Sequence, residues 1–327
     1  MRFLILFLLF WIALFLFWSL VVWGQTGNPT KMSQWISDAY AKKEQSAQNI
    51  KGRKIVIAAG SNALFGVDSQ ILSSALGLPV INDAVNAGIE LPCILYMAKH
   101  VIRRGDIVIM PLEHSMYAYS GKPGVQMIDF LLSREPDCFW TLLPSEQFYL
   151  LWHTTLDRIT KGYKSEGGEA ISKGLYGAHN IDHNGDQIHT EISYRSEQMY
   201  RDILQRYITA SPYTYGKEFS RSAPGWDYLE EFVEWCRERD AKVIFMPATL
   251  MPDKSYFDDP KERWFFENIA QEVKNRGWNY VGEPYDYMYD KSLYFNSDSH
   301  LIDRGRILRT EQMIKDLRKA LPYPYDL

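Results

Sequence analysis

Ser61, His300 and Asp298 are the residues whose types and settings could do covalent chemistry. The apolar run Ile55-Val56-Ile57-Ala58-Ala59 stops at Gly60-Ser61-Asn62. A serine hydroxyl is a weak nucleophile until a base takes its proton. At a strand-to-loop turn beside glycine, its hydroxyl and backbone N–H can both stand exposed at the sheet edge. Its other role would be a helix N-cap, but the next helical pattern begins nearer Asp68-Ser69, too late for Ser61 to cap. The base has to come from elsewhere. His100 and His153 lie in helical patterns and read as surface or core residues. His300 sits in "YFNSDSHLIDRGR", between a short apolar stretch and the last helical pattern, with Asp298 two residues earlier. A carboxylate that close can orient an imidazole and stabilise its protonated form. A solvated loop with helix-capping acids has the same composition, and taken alone the segment reads that way.

A second cluster, His179, Asp182, His183, Asp186 and His189, crowds the polar loop Gly177–Glu191. These are metal-ligand types, but their spacing fits no zinc signature, and polar loops are often rich in Asp, Asn and His. The expectation is that His183 and Asp186 border the cleft near Ser61, with no metal and no cofactor. The three cysteines, Cys93, Cys138 and Cys236, show no C-x-x-C spacing. They form neither a disulfide framework nor a zinc knuckle. Cys93 and Cys236 fall on apolar helix faces and read as small buried hydrophobes.

The elements that must position these residues alternate. Lys54–Ala59, Pro79–Asp83, Asp106–Leu112 and Lys242–Ala248 are strand-like apolar runs. Between and after them lie helical patterns: Gln70–Leu76, Glu90–Arg104, a stretch from Trp226 to Cys236, Lys261–Asn275, and Arg304–Ala320 with Ile307, Ile314, Leu317 and Leu321 on one face. Such alternation predicts βαβ units and a parallel sheet covered on both sides, a three-layer doubly wound α/β fold. Ligands of such sheets sit beyond the carboxyl ends of the strands. Gly60-Ser61 lies at one such end and Glu113-His114 at another. From residue 113 to 225 the alternation is interrupted by an aromatic, partly helical stretch, read as an insertion over the site edge.

The chain has 327 residues, 46% of them apolar, and a net charge of -4. That is enough to bury a core, and with no long basic run it argues against nucleic acid. Phe3–Trp23 is an almost unbroken apolar run, long enough to cross a bilayer. It is longer than the h-region of a signal peptide and no small-residue cleavage site follows it. Arg2 precedes it and Lys31 is the first basic residue after it. The positive-inside rule then leaves the N-terminus in the cytoplasm and the rest outside, with Trp18 and Trp23 at the far interface. The expected organisation is an anchor over 1–24, a stalk over 25–52 with a short helix around Met32–Ala47, and an α/β domain over 53–327.

"GSN" after the first strand, "NAG" (Asn86–Gly88) after the second and Asp-x-His before the last helix together resemble the SGNH/GDSL hydrolase superfamily. The resemblance covers Lys54–Leu112 and roughly Lys242–Lys319. It implies Ser61 as nucleophile, His300 as base and Asp298 as its orienting acid, with the N–H groups of Ser61 and Gly88 in the oxyanion hole. Two departures stand out. The family's usual D-x-x-H spacing would put the acid at Ser297. Asp298 sits one step closer, as in alginate acetylation proteins of this superfamily, and Asn296 is the other nearby orienting candidate. The third block normally supplies an asparagine, whereas here the strand runs into "MPLEHSMY". Glu113 or His114 takes that region, and an ionised Glu cannot donate a hydrogen bond. Asn62, Glu113 and His114 are therefore expected to line the site. The "NGD" of the polar loop also resembles a loop of membrane-anchored SGNH-like proteins from exopolysaccharide loci. What the resemblance implies is acyl transfer to, or removal from, a surface polysaccharide, beside a membrane-bound O-acyltransferase. A non-catalytic glycan-binding or scaffold role stays open, and teichoic-acid D-alanylation includes a similarly anchored relative.

Overall fold

A computed structural model describes residues 1–164, 175–209 and 213–321. Parts of the expected insertion (165–174 and 210–212) and the last six residues of the expected domain (322–327) lie outside these. Five strands form one sheet: β1 Ile55–Ile57, β2 Val80–Asn82, β3 Ile107–Met110, β4 Lys242–Phe245 and β5 Asn279–Tyr280. The helices are α1 Arg2–Trp23, α2 Gln34–Asn49, α3 Ser61–Gly66, α4 Ser69–Leu76, α5 Glu90–Val101, α6 Val125–Ser133, α7 Pro144–His153, α8 Leu156–Tyr163, α9 Glu197–Thr209, α10 Tyr215–Glu218, α11 Pro224–Arg237, α12 Ser255–Asp258, α13 Pro260–Lys274 and α14 Asp303–Ala320.

Every strand pair is parallel, in the order β2-β1-β3-β4-β5. The α/β architecture implied by the alternating sequence is therefore present. β1 and β3 are apolar and wholly buried, as central strands covered on both faces must be. The chain steps one way along the sheet from β1 to β2 and the other way from β2 through β5. Right-handed crossovers then put α3 and α4 on one face and α5, α11 and α13 on the other. The packing agrees: α14 lies on α3 and α4, while α5 lies between α2 and α11. The direction reverses between β1 and β3, and the carboxyl ends of two such strands are the usual ligand position in these sheets. Residues Gly60–Asn62 and Glu113 meet there.

Three expectations need correcting. Residues 25–52, expected as a stalk with a short helix around Met32–Ala47, carry that helix as α2, but it packs against the domain. Ile36, Ala39, Tyr40, Lys43 and Ala47 of α2 are buried, and the Lys43 ammonium donates to the carbonyls of Asn82 and Ala84 at the end of β2. The segment reads as polar because its polar side chains serve as fasteners. Ile307 is 38% exposed, because the inward stripe of α14 runs through Gly305, Arg309, Met313 and Leu317. Residues 61–66, expected as loop, form α3, whose cap is Gly60 and whose first residue is Ser61. All three cysteines are free and buried, with the Cys93 and Cys138 sulfurs 3.4 Å apart. Only α1 among the described residues is long and apolar enough to cross a membrane.

Candidate functional site

The short helix α3 is held at both ends. At its start, Glu113 accepts from the Gly60 N–H (3.0 Å) and the Asn62 N–H (3.1 Å). A helix start leaves N–H groups unpaired and favours negative charge, so the carboxylate serves as a cap borrowed from β3's end. A Cβ on Gly60 would run into the Glu113 carboxylate and come within 2.8 Å of the Ala87 Cα. Only glycine lets the "GSN" and "NAG" turns pack this closely. Along its length, buried Arg309 of α14 donates to the Asn62 carbonyl (2.7 Å) and Asn62 Oδ1 (2.8 Å). Its guanidinium fills the space a side chain on Gly66 would need. Asn62 in turn donates to the Pro111 carbonyl (2.9 Å), so its buried amide fastens the two sides of the crevice.

His300 is buried, and its Nδ1 lies 2.7 Å from Asn296 Oδ1. An amide oxygen only accepts, so Nδ1 carries the proton and Nε2 keeps its lone pair. Asn296 is oriented by donating to the Tyr176 hydroxyl (2.8 Å). The His300 ring stacks on Phe65, with centroids 4.1 Å apart and planes 6° from parallel. Phe65 is four residues beyond Ser61 on α3, and residues so spaced share a helix face. The imidazole is thereby stacked against α3 through Phe65, and no hydrogen bond joins it to Ser61. Burial pushes the imidazole down to about 3. A neutral amide partner offers no charge to oppose that shift.

The orienting role on His300 thus falls to Asn296, where Asp298 was expected. The Ser297 hydroxyl at the turn's start accepts the His300 N–H (3.1 Å). The Asp298 carbonyl accepts from the Met251 N–H (2.7 Å). The Gly88 N–H, expected in the oxyanion hole, donates to Asn86 Oδ1 (2.7 Å). In this arrangement it is taken up by its own turn, with Gln126 crowding the glycine.

Comparison with family models, with curated proteins and with solved structures finds no match. The residues have to carry the functional argument themselves.

Of the expected site-lining residues, His114 and Asp186 are buried and His183 is exposed. His114 is buried, ringed edge-on by Tyr215, Phe265 and Phe266, and neither ring nitrogen has a hydrogen-bond partner. Burial, with the Arg309 charge nearby, pushes it down to about 3. Asp186 is buried and accepts from the Ser69 N–H (2.6 Å), the Ser69 hydroxyl (2.7 Å) and Asn82 Nδ2 (2.9 Å). It ties the start of α4 to the end of β2. His183 is exposed. Among the described residues, no group of three His, Cys, Asp or Glu side chains could hold a metal ion. Tyr176, just before the polar loop, meets Asn296, and no motif signals it. Arg309 was equally hidden, since a lone arginine in a charged helix looks solvated.

Proposed function

We propose that this chain is a membrane-anchored, SGNH-like protein performing serine-dependent acyl-ester chemistry on a surface polysaccharide, with acyl transfer favoured over hydrolysis. The observation that carries the reading is the Asn296–His300 pair. It fixes the tautomer whose Nε2 can take a proton, on the helix face that begins with Ser61. Ser61 attacks the ester carbonyl while His300 accepts its proton. The proton then passes to the departing alcohol, and a sugar hydroxyl or water resolves the acyl-serine. The Ser61 N–H, at the start of α3, is the donor best placed for the oxyanion. In this reading α1 crosses the cytoplasmic membrane with the N-terminus inside, and a membrane-bound O-acyltransferase supplies the acyl group. The triad resembles the Cys-His-Asn pattern in using an amide as the third member.

A second reading has a specific observation behind it. The Glu113 carboxylate occupies the N–H groups on either side of Ser61, and Asn86 occupies that of Gly88. A negative charge beside a developing oxyanion opposes catalysis, so the crevice would instead bind glycan without turning it over. Incubation of the full chain with a serine-reactive fluorophosphonate separates the two. The expected result is a covalent adduct on Ser61, absent in Ser61→Ala and in His300→Ala. A folded protein that takes no label would leave the binding reading standing.

A further inference from the structure

The aromatic surface formed by α7 and α8 is continuous with α1. Phe15 of α1 stacks on Phe148 of α7, with centroids 4.8 Å apart, and Trp152 lies 6.1 Å away on the same side. Trp23 meets Trp140 at 5.5 Å, and the Tyr163 hydroxyl approaches Gly24. Trp140, Phe148, Trp152, Leu156 and Tyr163 are nonetheless each more than half exposed.

Depth along α1 decides what covers this surface. Phe15 is eight residues before Trp23, about 12 Å at 1.5 Å per residue. The stretch before Phe15 spans only about 20 Å, short of the ~30 Å hydrocarbon core. If α1 crosses a bilayer, Phe15 lies inside it, and so do the rings stacked against it. The backbone of α7 is built for such a place. The last carbonyls of a helix have no partner in the helix and normally face water. Here two of these four are taken up: Leu150 accepts from the Thr154 N–H and hydroxyl, and Leu151 from Trp18 Nε1 of α1 itself. Backbone groups at membrane depth must be satisfied by protein in this way. Leu156 and Tyr163, seven residues apart, share one face of α8, which carries Asp157 and Lys161 on its other sides.

The geometry points to α7 and α8 as a membrane-embedded platform: α7 sinks into the outer leaflet beside α1, and α8 lies along the interface. The occupant of the apolar surface is lipid. This rests on α1 spanning the bilayer and not on the acyl-ester reading. The domain would sit on the membrane by two contacts at fixed tilt, where a single helix would let it swivel.

The test uses the full chain in phosphatidylcholine–phosphatidylglycerol vesicles. A nitroxide is placed by Phe148→Cys, Leu156→Cys or Leu308→Cys, Leu308 being an exposed residue of α14. The native cysteines are buried and do not compete. Collisions with a water-soluble nickel chelate should be lost at 148, reduced at 156 and full at 308, while oxygen collisions are high at 148. Nickel access at 148 equal to that at 308 overturns the proposal. So does loss of both nickel and oxygen collisions at 148 with dipolar broadening, which would mean a second copy covers the surface. Because the Phe148 substitution removes a ring contact, quenching by lipid-borne doxyl groups supplies a second readout. Trp140→Phe/Trp152→Phe should lower the quenchable fluorescence in proportion to the two indoles removed, and an unchanged quenched signal again overturns it.

Discussion

His300 and His114 sit in two pockets that look alike by burial and differ in everything that matters for chemistry. Both imidazoles are buried and both are pushed down to about 3. His300 has one nitrogen held by Asn296 and its ring stacked on Phe65 of α3. His114 has neither nitrogen engaged and aromatic edges on three sides. A depressed basicity is therefore no sign of function here. The two differ in hydrogen bonding: Asn296 holds one nitrogen of His300, and nothing holds either nitrogen of His114.

The sharpest way to break this comparison is to remove each ring. His300→Ala should lower ester turnover by about 10⁶-fold, the scale seen when the base of a triad is lost. His114→Phe, filling an aromatic pocket, should leave it within about twofold. Equal losses, in initial-rate assays on folded protein, would mean the two pockets are coupled and the distinction is wrong.

Asn296→Asp comes next. A carboxylate beside Nδ1 favours imidazolium and raises the His300 pKa, by about 1–3 units for a close opposite charge. The base works only when neutral, so the acid limb of kcat/KM should move up from near pH 3 by that amount. An unmoved limb would show that His300 is not the titrating base.

Acid stability distinguishes the pockets by a third route. The folded protein keeps both imidazoles neutral well below 6.5, where those of the unfolded chain take up protons. Between about 6.5 and 3 the unfolded state binds more protons, so each histidine's contribution to stability falls as pH falls. Glu90 and Glu135, raised to about 7 by burial, act in the opposite sense, so only a difference is clean. His114→Phe should gain on the parent by about 2–3 kcal/mol between pH 6.5 and 4.5, at 1.36 kcal/mol per unit. Urea midpoints at the two pH values measure it.

The smallest effect belongs to Glu113→Gln. It removes the charge beside the oxyanion position but turns one acceptor into a donor facing an N–H. Turnover should rise severalfold, while stability drops by about 1–2 kcal/mol. A fall in turnover on well-folded protein would make the carboxylate a participant.

The four longer strands were legible as apolar runs, since Ile55–Ile57 and Ile107–Met110 are buried on both faces and have no reason to alternate. β5 was missed, being two residues long with Asn279 exposed. α3 was missed for the opposite reason: Asn62 to Gly66 are all buried, so no amphipathic period marks it as a helix. At the site, Ser61 and His300 could be singled out because motif and strand end coincide. Asn296 was visible as an alternative, but spacing alone could not choose between it and Asp298. The turn that decides lies in the hydrogen bonds of Ser297. Glu113 was legible as an anomaly and illegible as a cap, because its partners lie on β1's side of the crevice. The short aromatic helices of the insertion look like any core-forming segment until α1 is seen beside them.

The insertion has a consequence for how the chain reaches this state. β3 and β4 are neighbours at the middle of the sheet, yet residues 111–241 must be made before they can meet. Closing so long a loop is entropically slow, and non-local pairing lengthens folding times. Until β4 arrives, the all-apolar edge of β3 is an open template for stray strands. With β1, β2, α3 and α5 all encoded earlier, the first half can assemble promptly around an unfinished edge. If α1, long and apolar enough to cross a membrane, is inserted first, the unfinished sheet waits tethered at the bilayer.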